Sequence, residues 1–108
     1  MFSLEKTDEF DTWLKNLKNP IAKKAVIKRL ARLEVGHFGD VKNIGDGIFE
    51  LRIHVNVGIR IYCIQKGDTL IIVLNAGDKS TQQVDIAKAK ELNKEWDLDN
   101  ENNQIQPL

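Results

Sequence analysis

Five consecutive aliphatic residues, Leu70-Ile71-Ile72-Val73-Leu74, follow the turn signal Lys66-Gly67-Asp68. Side chains alternate between the two faces of a strand, so such a run leaves neither face polar and belongs in the middle of a sheet covered above and below. The segments before it supply neighbours. Phe49, Leu51, Ile53 and Val55 alternate with Glu50, Arg52 and His54, and Ile59, Ile61 and Cys63 alternate with Arg60, Tyr62 and Ile64. Asn56-Val57-Gly58 between them reads as a tight hairpin loop. A three-residue loop sets Val55 against Ile59, His54 against Arg60 and Arg52 against Tyr62. Glu50, Arg52, His54, Arg60 and Tyr62 then share one face, and a one-residue slip would bury these charges while exposing the aliphatics.

The cover comes from helices. Thr7 followed by Asp8 and Glu9 marks a helix start, and Phe10, Trp13, Leu14 and Leu17 fall on one face of that helix. Asn19-Pro20 restarts the chain as N-cap and first helical position, Ala22, Val26, Leu30 and Leu33 form the buried stripe, and Gly36 ends it. Ser80-Thr81-Gln82-Gln83 reads as a capping box opening a third helix, whose Ala89, Leu92 and Trp96 are placed to cover Leu70, Ile72 and Leu74. Phe2 and Leu4 suggest a short first strand, and the glycines and aspartates from His37 to Gly47 a loop carrying Lys42 toward the sheet. The expectation is an α+β fold of order β-α-α-β-β-β-α: an antiparallel sheet, two N-terminal helices on one face and a C-terminal helix. It forms one domain over residues 1–96, followed by a polar, acidic tail, 97–108, expected to be disordered.

The 108 residues, 42% of them apolar, suffice for one core without staples. The single Cys63 has no disulfide partner, and His37 and His54 lack metal-ligand spacing, so neither a disulfide nor a metal nor a cofactor is expected. No apolar run approaches the roughly 20 residues of a membrane span, and the N-terminus lacks signal-peptide character, so a cytoplasmic protein without a membrane partner is expected. Formal net charge is zero but unevenly placed. Between Lys15 and Arg60, ten Lys and Arg stand against four acids, a net of +6, whereas from Glu91 onward five acids stand against Lys94, a net of −4.

Two interpretations of the charged face compete. Cross-strand charge pairing is ordinary on solvent-facing sheets, and Lys24, Lys28 and Arg32 on the second helix form the kind of ridge that is usually just solvated. Alternatively Arg52, Arg60, Lys42 and Lys79 bind successive phosphates, with the ridge steering the backbone. Metal-independent RNA cleavage needs a base for the 2′-hydroxyl, cations for the phosphorane and an acid for the leaving oxygen. Glu50 is the candidate base with His54 its rival, Arg60 the phosphate clamp, and Tyr62 a ring to stack on a base of single-stranded RNA.

Trp13-Leu14 with Leu17-Lys18-Asn19-Pro20, His37-Phe38-Gly39-Asp40-Val41-Lys42, Glu50-Leu51-Arg52-Ile53, Gly58-Ile59-Arg60-Ile61-Tyr62 and Gly77-Asp78-Lys79-Ser80-Thr81-Gln82 occur in the order found in addiction-module killer proteins. The run from Phe10 to Trp96 thus resembles a HigB-like branch of the RelE/ParE toxins. The resemblance implies a type II toxin whose partner is a co-encoded, often helix-turn-helix antitoxin, which alone contacts operator DNA. For many members it implies ribosome-dependent mRNA cleavage, with Arg60 at the phosphate and Arg52 and Lys79 at commonly basic positions. The His-Tyr or Tyr-His pair that some relatives carry near the end of the last strand is absent here, and Lys79-Ser80 occupies the nearest position. Three functions stay open: an mRNA endonuclease acting with the ribosome, a ParE-like gyrase poison, and a degenerate toxin that only binds its antitoxin.

Overall fold

The computed structural model describes residues 1–104, and the side chains of residues 1–99. Its elements are β1 (Ser3–Lys6), α1 (Asp8–Asn16), α2 (Pro20–Glu34), β2 (Val41–Gly45), β3 (Ile48–Ile53), β4 (Ile59–Lys66), β5 (Leu70–Asp78), a 3₁₀ turn (Lys79–Thr81) and α3 (Gln82–Gln104). The five strands lie in the order β1-β5-β4-β3-β2, with β1 parallel to β5 and the other pairs antiparallel. The fold is α+β and RelE-like, with one strand more than expected. Val41–Gly45 pairs along β3 where the sequence reads as loop, because only two of its residues are apolar and it forms the exposed sheet edge.

Local signals place the helices as read. Thr7 Oγ1 accepts from Phe10 N at the start of α1, Asn19 Oδ1 accepts from Ile21 N and Ala22 N at the start of α2, and Pro20 occupies the first turn. Gly36, at φ +89°, takes the left-handed conformation after α2, where its N–H closes on Leu33 O. Two expectations need correction. Asp78, not Ser80, caps the turn leading to α3, its carboxylate accepting from Ser80 N. Helix α3 also continues past Trp96 to Gln104, well into the segment expected as disordered tail, and residues 105–108 lie outside the described part.

The sheet is covered on both faces, as its doubly apolar strand demands. On one side Phe10, Ala22, Val26 and Leu33 of α1 and α2 pack on Phe49, Leu51, Ile53, Ile59, Ile61, Cys63, Ile71 and Val73. On the other Ala89 and Leu92 of α3 pack on Ile48, Tyr62, Ile64, Ile72 and Leu74, joined by Trp96. Each fully buried aliphatic or aromatic side chain contributes roughly 1.5–3 kcal/mol relative to exposure. A bulge between Tyr62 and Cys63 in the β4–β5 register lets Leu74 and Asn75 both serve the α3 side, which brings Gly77 opposite Arg60.

Candidate functional site

The hairpin register differs from expectation by two residues. Arg52 lies opposite Arg60 and Glu50 opposite Tyr62, because the connection spans residues 54–58 rather than 56–58. A shift of two keeps every side chain on its face, so burial fixes the face without fixing the loop length. Two rows of functional groups result. Lys42, Glu50, Tyr62 and Asn75 are successive partners across four strands, and Arg52, Arg60 and Gly77 form the adjacent row.

Glu50 is the hub of these rows and has no exposed surface. Arg52 Nε donates to its Oε1 at 3.0 Å, Gln82 Nε2 of α3 donates to Oε2 at 2.7 Å, and Arg60 Nε stands 4.0 Å from Oε1. Burial pushes its carboxyl upward, but the hydrogen bonds from Arg52 and Gln82, with the Arg52 charge, outweigh it and hold the group below its ordinary value. The carboxylate expected as the base is thus sequestered beneath the surface, engaged by Arg52 and Gln82 and close to Arg60. Tyr62 is likewise fully buried beneath α3 and unavailable for stacking on RNA. Burial first, and then the Glu50 charge, push its phenol well above the usual range, so it stays protonated.

The other candidate groups gather at the hairpin end of the sheet, where His54 and Lys79 are exposed and Arg60 is itself buried. His54, Asn56, Val57, Gly58, Arg60 and Lys79 line a shallow hollow of about 290 Å³. Arg60 is held by donation from Nη1 to Ile59 O, and Lys79 N donates to Gly58 O, which ties the 3₁₀ turn to the hairpin. His54, exposed, meets Asp40 with Nε2 2.6 Å from Oδ2. The hydrogen bond to His54 holds the Asp40 carboxyl low. Asp40 is fixed by backbone: its carbonyl accepts from Arg52 N and from Arg29 Nη2, and Arg29 also binds the carbonyls of Phe38 and Arg52. Lys42 is exposed on the edge strand beside Glu50, on the same face. Lys24, Lys28 and Arg32 are exposed on α2, which covers the opposite face, so the structure does not bring them to the hollow.

Asp40 and Gln82 stand in the quoted motifs without a role at the site, and Arg29 in none of them. Asp40 and Gln82 reach the site across 14 and 32 residues of chain, and Arg29 reaches Arg52 across 23, distances at which no periodicity reports contact. Among the described residues no cluster of His, Cys, Asp or Glu could hold a metal ion, and no described helix is long and apolar enough to cross a membrane.

The chain is thus an α+β domain whose five-stranded sheet carries a cationic hollow at its hairpin end. The model of the phage-derived Gp49-like proteins (DUF891) matches residues 12–96, and the chain belongs to that family. An uncharacterized protein of Haemophilus influenzae (strain Rd) is 47% identical over 95 residues, covering 88% of this chain and 96% of that protein. A conserved hypothetical protein of Helicobacter pylori, HP0894, shares the fold in its solution structure, with a TM-score of 0.52 and 21% identity over 74% of this chain and 97% of that one.

Proposed function

We propose that the protein is the toxin of a type II toxin–antitoxin pair and cleaves mRNA on the ribosome through the hollow lined by His54, Arg60 and Lys79. The single observation that supports the chemistry is that hollow: a histidine paired with a carboxylate, an arginine and a lysine at one concave, solvent-open place. Family membership and the RelE-like fold support the toxin reading.

In this reading a phosphodiester sits against Arg60 and Lys79, whose charges offset the negative charge that grows on the phosphorane. Glu50 and Arg52 keep the Arg60 side chain in place from below. Neutral His54, oriented by Asp40, takes the proton of the 2′-hydroxyl as its oxygen attacks phosphorus. The bond to the 5′-oxygen breaks and that oxygen takes a proton from the Lys79 ammonium or from solvent, leaving a 2′,3′-cyclic phosphate and a 5′-hydroxyl. Lys42 on the sheet edge extends the cationic track. The partner is an antitoxin, and operator DNA is contacted through it.

The test adds purified protein to ribosomes translating a defined mRNA, maps breaks by primer extension, and runs Arg60→Ala and Lys79→Ala beside the parent. The expected result is breaks that require ribosomes and fall about 100-fold or more with Arg60→Ala, the usual cost of losing a transition-state donor. Intact mRNA from a folded protein that still arrests growth would overturn the nuclease reading and favour a gyrase target, to be checked by a supercoiling assay.

A further inference from the structure

The cationic hollow has a neighbour of opposite character. Across the hairpin tip, Trp13, Leu17, Ala22, Val57, Ile59 and Ala76 wall a cavity of about 280 Å³ whose far end carries Asp78, Thr81 and Asp85. Asn56 and Val57 line both hollows, so the two adjoin at one loop tip. The acids differ in what they have left to give. Asp78 Oδ1 is taken by Ser80 N and Ser80 Oγ. Asp85, half-buried, accepts from Thr81 Oγ1 at 2.6 Å, and among the described residues no other side chain donates to it and no cation pairs with it within 4 Å. Its backbone is pinned by Asn75 Nδ2, which donates to Asp85 O at 2.9 Å. Its carboxylate lies directly over Gly77, where a Cβ would stand 1.9 Å from Oδ2. The carboxylate is therefore held at the end of an apolar slot with most of its acceptor capacity free.

We propose that this slot takes a guanine base next to the phosphate bound by Arg60 and Lys79. The inference rests on the nuclease reading above and adds the base it selects. A flat ring needs apolar walls and an aromatic neighbour, which Trp13, Leu17, Val57 and Ile59 supply. A nucleobase and its phosphate lie one sugar apart, as two hollows adjoining at a loop tip require. The carboxylate fixes the choice of base: ionised, it only accepts, and guanine alone presents two adjacent donors, N1–H and the 2-amino group, on one edge. Adenine and cytosine set a donor beside an acceptor there, and uracil flanks its one donor with carbonyls. Those acceptors would meet the Asp85 oxygens repulsively.

The test titrates the ¹⁵N-labelled full chain, without ribosomes, with guanosine, cytidine, adenosine and uridine 5′-monophosphates at neutral pH. The expected result is that GMP moves the Trp13 indole and the amides of Val57, Gly77 and Thr81 and binds about tenfold or more tightly than the other three, the discrimination of one good bidentate contact. Asp85→Asn and Gly77→Ala, the second displacing the carboxylate, should each bring GMP down to the level of CMP. Equal binding of the four nucleotides, or shifts confined to Arg60 and Lys79, would overturn the guanine slot; the wild-type comparison needs no variant to fold. The two readings separate on the cleavage map. Ribosome-dependent breaks without guanine preference would leave the nuclease and remove the slot, whereas selective GMP binding without breaks would keep the slot and remove the nuclease.

Discussion

The two faces of the sheet obey different rules. Toward α1 and α2 every buried side chain is apolar, and the contacts are aliphatic and aromatic. Toward α3 the apolar cluster gives way, near the hairpin end, to Glu50, Arg60, Tyr62 and Asn75, and among the described residues Arg60 Nε, Tyr62 Oη and Asn75 Oδ1 are buried with no hydrogen-bond partner of normal geometry. A buried polar group left unpaired costs about 1–3 kcal/mol, so this face forgoes stability that the other keeps. What the contrast teaches is where selection for something other than folding is located: the cationic groups that serve the hollow are anchored in this costly layer.

That comparison can be broken or sharpened by substitution. The largest effect on stability is expected from Glu50→Ala, which leaves Arg60 buried without its counter-charge and removes the acceptor of Arg52 and Gln82; urea unfolding should show a loss of about 3–5 kcal/mol. On the apolar face Leu33→Ala should cost about 2–5 kcal/mol by opening a cavity, yet cleavage per folded molecule should be unchanged, because Leu33 lines neither the cationic hollow nor the slot beside it. Equal loss of cleavage from both would mean the faces are not functionally distinct.

A smaller effect concerns pH. The folded-state pKa of Glu50 lies below its ordinary value of 4.5, so its contribution is fully present above about pH 4.5 and is lost as pH falls through the folded value. Asp85 has the opposite sign: burial raises its carboxyl above the ordinary 3.8, so stability falls as pH rises from that value through the folded one. Urea midpoints between pH 3 and 7 should therefore show a shallower acid limb for Glu50→Gln than for the parent, and Asp85→Asn should remove the opposing slope. The smallest effect is expected from Tyr62→Phe. It removes a buried hydroxyl that has no hydrogen-bond partner, so urea unfolding should show a gain of about 1 kcal/mol.

Much of the fold was legible because it is written in periods. Two-sided apolar character at residues 70–74 demanded two covering layers, and Phe10, Val26, Leu33, Ala89 and Leu92 at helical spacing supplied them. Edge strand β2 was not legible, since an exposed edge needs few apolar residues and its Gly45 and Asn43 resemble a loop. The hairpin register slipped because period two constrains the face and not the count of loop residues. At the site, Arg60, Lys79 and His54 could be named from residue type, but their accessibility could not. Burial of Glu50 and Tyr62 depends on where α3 lies, and Asp40, Gln82 and Asp85 enter from segments remote in sequence from the hairpin.

The central claim is that the hollow at the hairpin end performs the cleavage, and His54 tests it most directly, because its side chain is 70% exposed and its removal leaves no buried gap. The measurement is the single-turnover rate of mRNA cleavage on programmed ribosomes for His54→Ala against the parent, with thermal melts of both. The account expects unchanged melting and a rate lower by about 10²–10⁴, the span of a general base. Parental cleavage by a fully folded His54→Ala protein would contradict it and move the chemistry out of this hollow.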